Sequence, residues 1–463
     1  MTRRSAFGFF VAVGCLTGPL SAVTLDVTTT TMAVADDGLC SLPEAIVAAN
    51  TNTASGAMVG ECPAGTSTDV IRLAENETYI LDRVMSTTTI EGDNGLPIIT
   101  GGFLILEGRG SKITRDLEAP DFRLLQVDGF NVVLRNIHFD RGWAEWNGGG
   151  VLARSLVTVE GATFTNNIAG AFGGGVSGTS NGSNLIVRDS SFSFNQGGSW
   201  GGGVYVGHLG RVENSHFFSN NVSSGGGSGA GVGGNGDELV VVGCTFTNNF
   251  AGAVQFGHGR LELRDSVIWT NHNQVPVFGD TRSHLKMVNT LVTDNTGYAA
   301  VRFVGTGEIN NSTIFGNPTR GLMANSPASV TVSNSIVAQN SSLYPNCGGE
   351  FDSRGHNLDS DGSCGFDAVG DETADPQLTL AFGPLGEPWL IPSPGSPAVD
   401  TGSTALPGSP GACEATDVRG EIRPVDGGGS AEAVCDKGAF EAPHSLFADG
   451  FESGDMSAWR FEI

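Results

Sequence analysis

Between Leu134 and Asn340 the chain repeats one shape nine times while changing most of its letters. "LIVRDSSFSFN" (Leu185 to Asn195) returns as "LVVVGCTFTNN" (Leu239 to Asn249). The turn residue of each copy is Asn136, Gly161, Asp189, Asn214, Gly243, Asp265, Asn289, Asn311 or Asn334, with gaps of 25, 28, 25, 29, 22, 24, 22 and 23 residues. Two residues before it stand Leu134, Val159, Val187, Val212, Val241, Leu263, Met287, Ile309 and Val332. Three after it stand Phe139, Phe164, Phe192, Phe217, Phe246, Ile268, Val292, Ile314 and Val337. All are apolar. The residue one after the turn is small in every copy but the first, as in Ala162, Ser190, Ser215, Cys244 and Ser312, and six after the turn come Asn167, Asn195, Asn220, Asn249, Asn271, Asn295, Asn317 and Asn340.

A period of this length with apolar alternation specifies a solenoid, because each copy can bury its apolar face only against its neighbours. Each copy is two short strands bent at the turn residue. A second phase, "GGGV" ending at Val151, Val176 and Val204, then "GAGV" at Val232 and "AGAV" at Val254, supplies a third strand. The expected fold is all-β: a right-handed parallel β-helix of pectate-lyase-like form, with three strands per coil stacked about 4.8 Å apart. Only inward positions are constrained, so the letters between them drift. The Asn column reads as a ladder, each amide bonded to the next coil, with Asn tolerating a left-handed turn. Cys244 takes the place of a Ser or Thr and reads as a buried free thiol.

The ends read differently. Arg3 and Arg4, the run "AFGFFVAVGCL" and "GPLSA" have the order of an export signal cleaved after Ala22. Cys15 is a poor lipid-attachment site, with Ala12 three residues before it. "SLPEAIVAAN" (Ser41 to Asn50) has the spacing of a short amphipathic helix with Ser41 as N-cap and Glu44 closing a capping box. Such a helix would cover an open sheet edge that otherwise invites aggregation. The expected organisation is a signal peptide (1–22), an N-terminal cap (23–68), the β-helix (69–345), a C-terminal domain (346–441) and a tail (442–463). Six cysteines pair locally by proximity: Cys40 with Cys62, Cys347 with Cys364, Cys413 with Cys435. Glycine is 69 of 463 residues, which suits a turn-rich β protein. With 24 Lys and Arg against 49 Asp and Glu, the net charge of −25 excludes nucleic acid and anionic lipid as partners. No stretch asks for membrane insertion, and a monomer is expected.

Several stretches carry a resemblance. "CSLPEAI…AAN…GEC" resembles the CSLREAI-type leader of secreted bacterial β-helix proteins. "NSIVAQN", "GHNLDSDGSCGF", "SPAVDTG", "DVRGEIRP" and "CDKGAFE" are similar to the choice-of-anchor Q domain that closes such helices. "LFADGFESGD" is similar to a tail of secreted proteins of this sort, and the Gly- and Asn-rich coils resemble polymorphic outer-membrane protein repeats. Pro43, Val418 and Lys437 depart from the usual residues; the first weakens any role of the leader's Arg, and the other two read as surface drift. The resemblance implies a secreted or surface-displayed β-helix without a defined biochemical role.

Catalytic patterns are weak. A polygalacturonase-like site needs carboxylates on adjacent coils, and "GHG" (257–259) has no paired "DD" or "NTD" upstream. His208 and His258 fall two coils apart, too far for one metal. Two classes remain: a non-catalytic solenoid that binds a polysaccharide, cell-surface glycan or other macromolecule, and a polysaccharide lyase or hydrolase with a diverged site. The candidate binding residues are Trp143, Trp146, Phe172 and Trp200, ahead of successive "GGGV" strands, with Asp140, Arg141 and Glu145 nearby; packing of these rings on the wall is the competing reading. The glycines that follow suggest a flat, open surface. Asn357, Asp359 and Asp361 have the one-three-five spacing of a calcium loop, but Ala368 stands at its twelfth position, so a tight turn competes with calcium.

Overall fold

The computed structural model describes residues 22–179, 182–224, 229–406, 408–427 and 433–443. The export signal with Cys15, and the tail beyond Pro443, lie outside the described residues. The repeat folds as a parallel β-helix. A 13-stranded sheet takes one strand per coil, from Thr78–Leu81 to Glu372–Thr373. A 21-stranded sheet takes the other two, such as Val151–Ala153 and Leu156–Glu160. The register stacks like on like: Phe139, Phe164, Phe192, Phe217 and Phe246 are successive partners. Their rings stack inside the coil with centroids 4.8–5.0 Å apart. Four coils add a two-residue pairing after the second turn, at Trp143–Ala144, Ile168–Ala169, Gln196–Gly197 and Asn221–Val222, which a three-strand reading does not contain.

The turns explain the polar columns. All nine turn residues are left-handed, with φ between 44° and 64°. The ladder asparagines are not. The left-handed residue sits one position earlier, at Asn166, Phe194, Ser219, Asn248, Thr270, Asp294, Gly316 and Gln339. The ladder Asn is chosen for its amide. From Asn167 to Asn340, each Nδ2 donates to the Oδ1 of the next coil's Asn at 2.9–3.1 Å. That Oδ1 also accepts the backbone N–H of the preceding coil's Asn. Nδ2 donates again to the carbonyl of the apolar residue one coil back, as Asn220 does to Phe192. Every polar atom of a buried amide is thereby satisfied. The ladder ends when Asn346 accepts from Asn340. A second column uses hydroxyls: Ser190, Ser215, Ser266, Ser312 and Ser335 each accept a backbone N–H from the coil before.

The glycines before the third strand are buried rather than open. A Cβ on Gly150, Gly175, Gly203 or Gly231 would come within 2.6–2.8 Å of the next coil's carbonyl oxygen. They let the coils close up, which corrects the expectation of a flat exposed surface.

Both ends are covered. The strand Val23–Asp26 pairs with Thr68–Arg72, so the sheet's first strand precedes the helix α1, Leu42–Thr51. Ser41 and Glu44 form the expected capping box, and Glu44 also accepts from the Ala35 backbone at 2.7 Å. Leu42, Ala45, Ile46, Ala48 and Ala49 seal the core, and the Cys40–Cys62 disulfide ties the helix start to the loop that returns from it.

At the other end the sheets continue through Cys347–Gly348, Asp352–Ser353 and Leu358–Asp359, closed by the Cys347–Cys364 disulfide. The chain then turns back along the solenoid as an antiparallel hairpin, Leu378–Phe382 with Pro388–Pro392, and a segment stapled by Cys413–Cys435. Cys244 is left free and buried. Outward positions of the 13-stranded sheet explain where this segment docks. They are Thr163, Thr165, Ser191, Ser193, Thr245 and Thr247 in the middle coils, then Val267, Leu291, Phe315 and Ile336. These apolar residues pack with Leu390, Trp389, Ala398, Ala439 and Phe440 of the returning segment. Asn289, Asn310 and Asn334 donate to its carbonyls at 2.7–2.9 Å.

The motifs "DVRGEIRP" and "CDKGAFE" meet in this segment as buried charge. Arg423 and Glu441, each 1% exposed at the side chain, stand 3.6 Å apart, and Arg423 donates to the carbonyls of Asp436 and Gly438. Lys437 is buried and pairs with Glu372 at 3.7 Å, while Val418 packs at the edge of the apolar cluster. Neither is surface drift.

Two outcomes are expected. Asn220→Ala strands the backbone N–H and amide of Asn195, so it should lower unfolding stability by about 2–4 kcal/mol; a change under about 0.5 kcal/mol in urea titration would show that the ladder is passive. Burial, reinforced by Glu441, pushes the Asp436 carboxyl up to about 8. Its folded value lies above the unfolded 3.8, so its contribution is complete below about pH 4, falls progressively as pH rises from there, and is gone above about 8. The melting temperature should fall across that range, and Asp436→Asn should flatten the fall; an equally steep fall in the variant would assign it to other groups.

Candidate functional site

The four candidate aromatics divide into two pairs. Phe172 and Trp200 hold the same register, and it is Asn147, not Trp146, that precedes them in the column. The Phe172 ring stacks on Tyr205 at 4.5 Å. The Trp200 ring lies over Gly257, where a Cβ would come within 2.4 Å of it. "GHG" therefore makes room for an indole, and His258 points Nδ1 at the Gly236 carbonyl at 3.4 Å. His208 is taken by Asn184 and Asp237. These two rings are wall packing.

Trp143 and Trp146 do something else. An insertion in an early coil forms an antiparallel hairpin, Ser86–Thr88 with Gly92–Asn94. Gly92, at φ 84°, makes its turn. Hairpin and loop face each other across a cleft of about 310 Å³, lined by Thr88 to Asp93, Asp121, Phe122 and Trp143 to Trp146. Trp146 is 52% exposed there. Four carboxylates line the cleft with the rings: Glu91, Asp93, Asp121 and Glu145. Glu91 is largely buried and accepts from Asn147 Nδ2 at 3.2 Å; Asp93 accepts from the Thr87 hydroxyl at 2.6 Å.

Arg123 holds the two walls together. It is fully buried, and its guanidinium donates to the Glu91, Asn147 and Gly148 carbonyls and to Asn94 Oδ1 at 2.8–3.0 Å. Burial lowers its pKa to about 10, and the nearby Glu91 and Asp128 oppose that shift. The ion is retained because every wall it touches presents an acceptor. Sequence reasoning missed Arg123 and the hairpin acids, although an Arg inside "FRLLQV" and the turn "EGDNG" were visible signals.

Asp140 is not part of the cleft. It is buried in the 13-stranded sheet and accepts from Thr165 at 2.7 Å, Asn166 at 3.0 Å and Thr114 at 3.3 Å. Those hydrogen bonds and Lys112 outweigh burial and hold its pKa below the usual carboxylate range. Clefts of about 610, 420 and 320 Å³ carry no Trp, Tyr or Phe. Another, of about 400 Å³, contains Trp389, whose ring is covered by Arg419.

The calcium-loop residues are engaged locally. Asp359 accepts from Cys364 N and Asn346 Nδ2, Asp361 from Asn346 N and Ser363 N, and Asn357 Oδ1 from Ser335 N. Among the described residues no group of three or more His, Cys, Asp or Glu side chains is placed to hold a metal ion. Cys244 is buried in the hydroxyl column, and burial pushes its thiol up to about 12. It should resist a thiol reagent at neutral pH in the native protein and react once unfolded; fast native labelling would contradict this placement.

The family model described as the right-handed β-helix region matches residues 88–246 and 228–379. No curated protein and no solved structure matches the chain. The matched residues run through the cleft wall at Thr88 and the Trp143–Trp146 loop to the last parallel strands, well over half of the 463 residues, and the chain belongs to the right-handed β-helix family.

Proposed function

We propose that the protein is a secreted or surface-displayed binding protein that holds a glycan in the cleft between the hairpin and the Trp143–Trp146 loop, without cleaving it. The observation that carries this reading is Trp146, a large ring left 52% exposed in a cleft that four carboxylates line with it. Sugar rings have apolar faces that lie on indoles, and their hydroxyls donate to carboxylates such as Glu145 and Asp93. Three disulfides suit an oxidising compartment outside the cytosol, where polysaccharides and surface glycans are met. No helix among the described residues is long and apolar enough to cross a membrane. A second reading, a lyase or hydrolase, is favoured by the same carboxylates, since glycoside hydrolysis needs two of them facing across the bond.

Trp146→Ala should weaken retention on an immobilised glycan panel by about tenfold or more, while the melting temperature stays within about a degree. Unchanged retention would remove the cleft as the binding site. Incubation with the same panel separates the two readings: new reducing ends or unsaturated product would make the protein an enzyme.

A further inference from the structure

We infer that the ligand of this cleft is an amino sugar polymer, with free, protonated amino groups. The inference rests on the glycan reading of the cleft and adds its charge class. Asp93, Asp121 and Glu145 line the cleft beside the two indoles, and no Lys or Arg side chain lines it. Two cations, Arg123 and Arg115, touch residues that line the cleft. Arg123 is spent below the surface on backbone carbonyls and Asn94. Arg115, only 15% exposed at its side chain, donates to the Ala119, Pro120 and Arg141 carbonyls and stands 3.3 Å from Asp121. Neither guanidinium is directed into the cleft as a donor.

A uronate placed here would meet acids with no Lys or Arg in the lining to compensate, and like charges within a few ångströms repel. A neutral sugar would be accepted but would leave Asp93 and Glu145 without counter-charges, Asp121 being already paired with Arg115. An ammonium-bearing sugar uses both features together. Its amine pairs with Asp93, Asp121 or Glu145, and a cation beside an indole face adds a further attraction. The net charge of −25 on the whole chain strengthens the preference and steers a cationic polymer toward the surface. A basic peptide shares the charge but not the pyranose face, so the test includes one.

Calorimetry at mildly acidic pH would compare glucosamine hexamer, N-acetylglucosamine hexamer, galacturonate hexamer and lysine hexamer on the full chain. Glucosamine hexamer should bind about tenfold more tightly than its N-acetyl form, galacturonate should bind least, and the gap should close at about 0.5 M salt. The double variant Asp93→Asn with Glu145→Gln should abolish the gap, weakening glucosamine hexamer more than its N-acetyl form. Trp146→Ala should weaken both sugars, glucosamine hexamer at least as much as its N-acetyl form. Equal wild-type binding of the two sugars, or a gap that survives the double variant, overturns the charge inference and leaves the glycan reading standing. Binding of lysine hexamer with neither sugar, or no binding of either sugar, overturns the glycan reading itself.

Discussion

The molecule depends on one constraint: a parallel coil must satisfy, from its two neighbours, every polar group that it buries. The Asn ladder meets it. Each amide takes two donors and gives two, all to adjacent coils, so a coil is polar-complete only inside the stack. The stacked Phe rings beside it contribute burial, which is non-directional and sets no register. The amides set it, because an Asn shifted by one residue would present its carbonyl to nothing. The two columns therefore divide the work: rings supply the favourable free energy, and amides choose the alignment.

The same constraint explains the ends. A terminal coil has one neighbour, so its open side needs another cover. At the start this is α1, whose Asn50 accepts from the backbone of Thr100 and Gly101 as a further coil would. At the finish Asn346 closes the amide column, and the returning segment covers the outward apolar residues of the later coils. It also buries a cluster of charge, Arg423, Glu441, Asp436 and Asp417. Such a cluster gains little stability over an apolar one, but it accepts few alternative arrangements.

The repeat was legible because its constraints are local in sequence and recur. Phe164, Phe192 and Phe217 announce a column without any structure. The outer-face switch from Thr163 and Ser191 to Val267 and Leu291 was equally visible, yet it means something only once a covering segment is known. Val418 and Lys437 were misread for that reason: their partners, the Trp389 hairpin and Glu372, lie far away in the chain. The candidate site was legible by half. Trp143 and Trp146 stood out as aromatics, but the opposite wall is a hairpin 50 to 60 residues earlier, in coils whose spacing had not yet become regular. A solenoid places residues of one coil beside the next, so where the period is irregular proximity cannot be read from offsets. Phe172 and Trp200 matched the offset and proved to be packing, because an equal offset places rings in one column whether that column is open or filled.

The cleft and the returning segment sit on the same rigid stack. The strand His138–Asp140, which leads into the Trp143–Trp146 loop, lies five steps along the 13-stranded sheet from Val267–Trp269, where the covering segment begins to pack. Five steps of about 4.8 Å make roughly 24 Å. The coils between are joined by ladder amides and stacked rings. A ligand bound at the cleft would thus sit at a fixed standoff from the covering segment, a distance counted in coils. Adding or deleting one whole repeat would change that standoff in a quantised step while leaving every column paired.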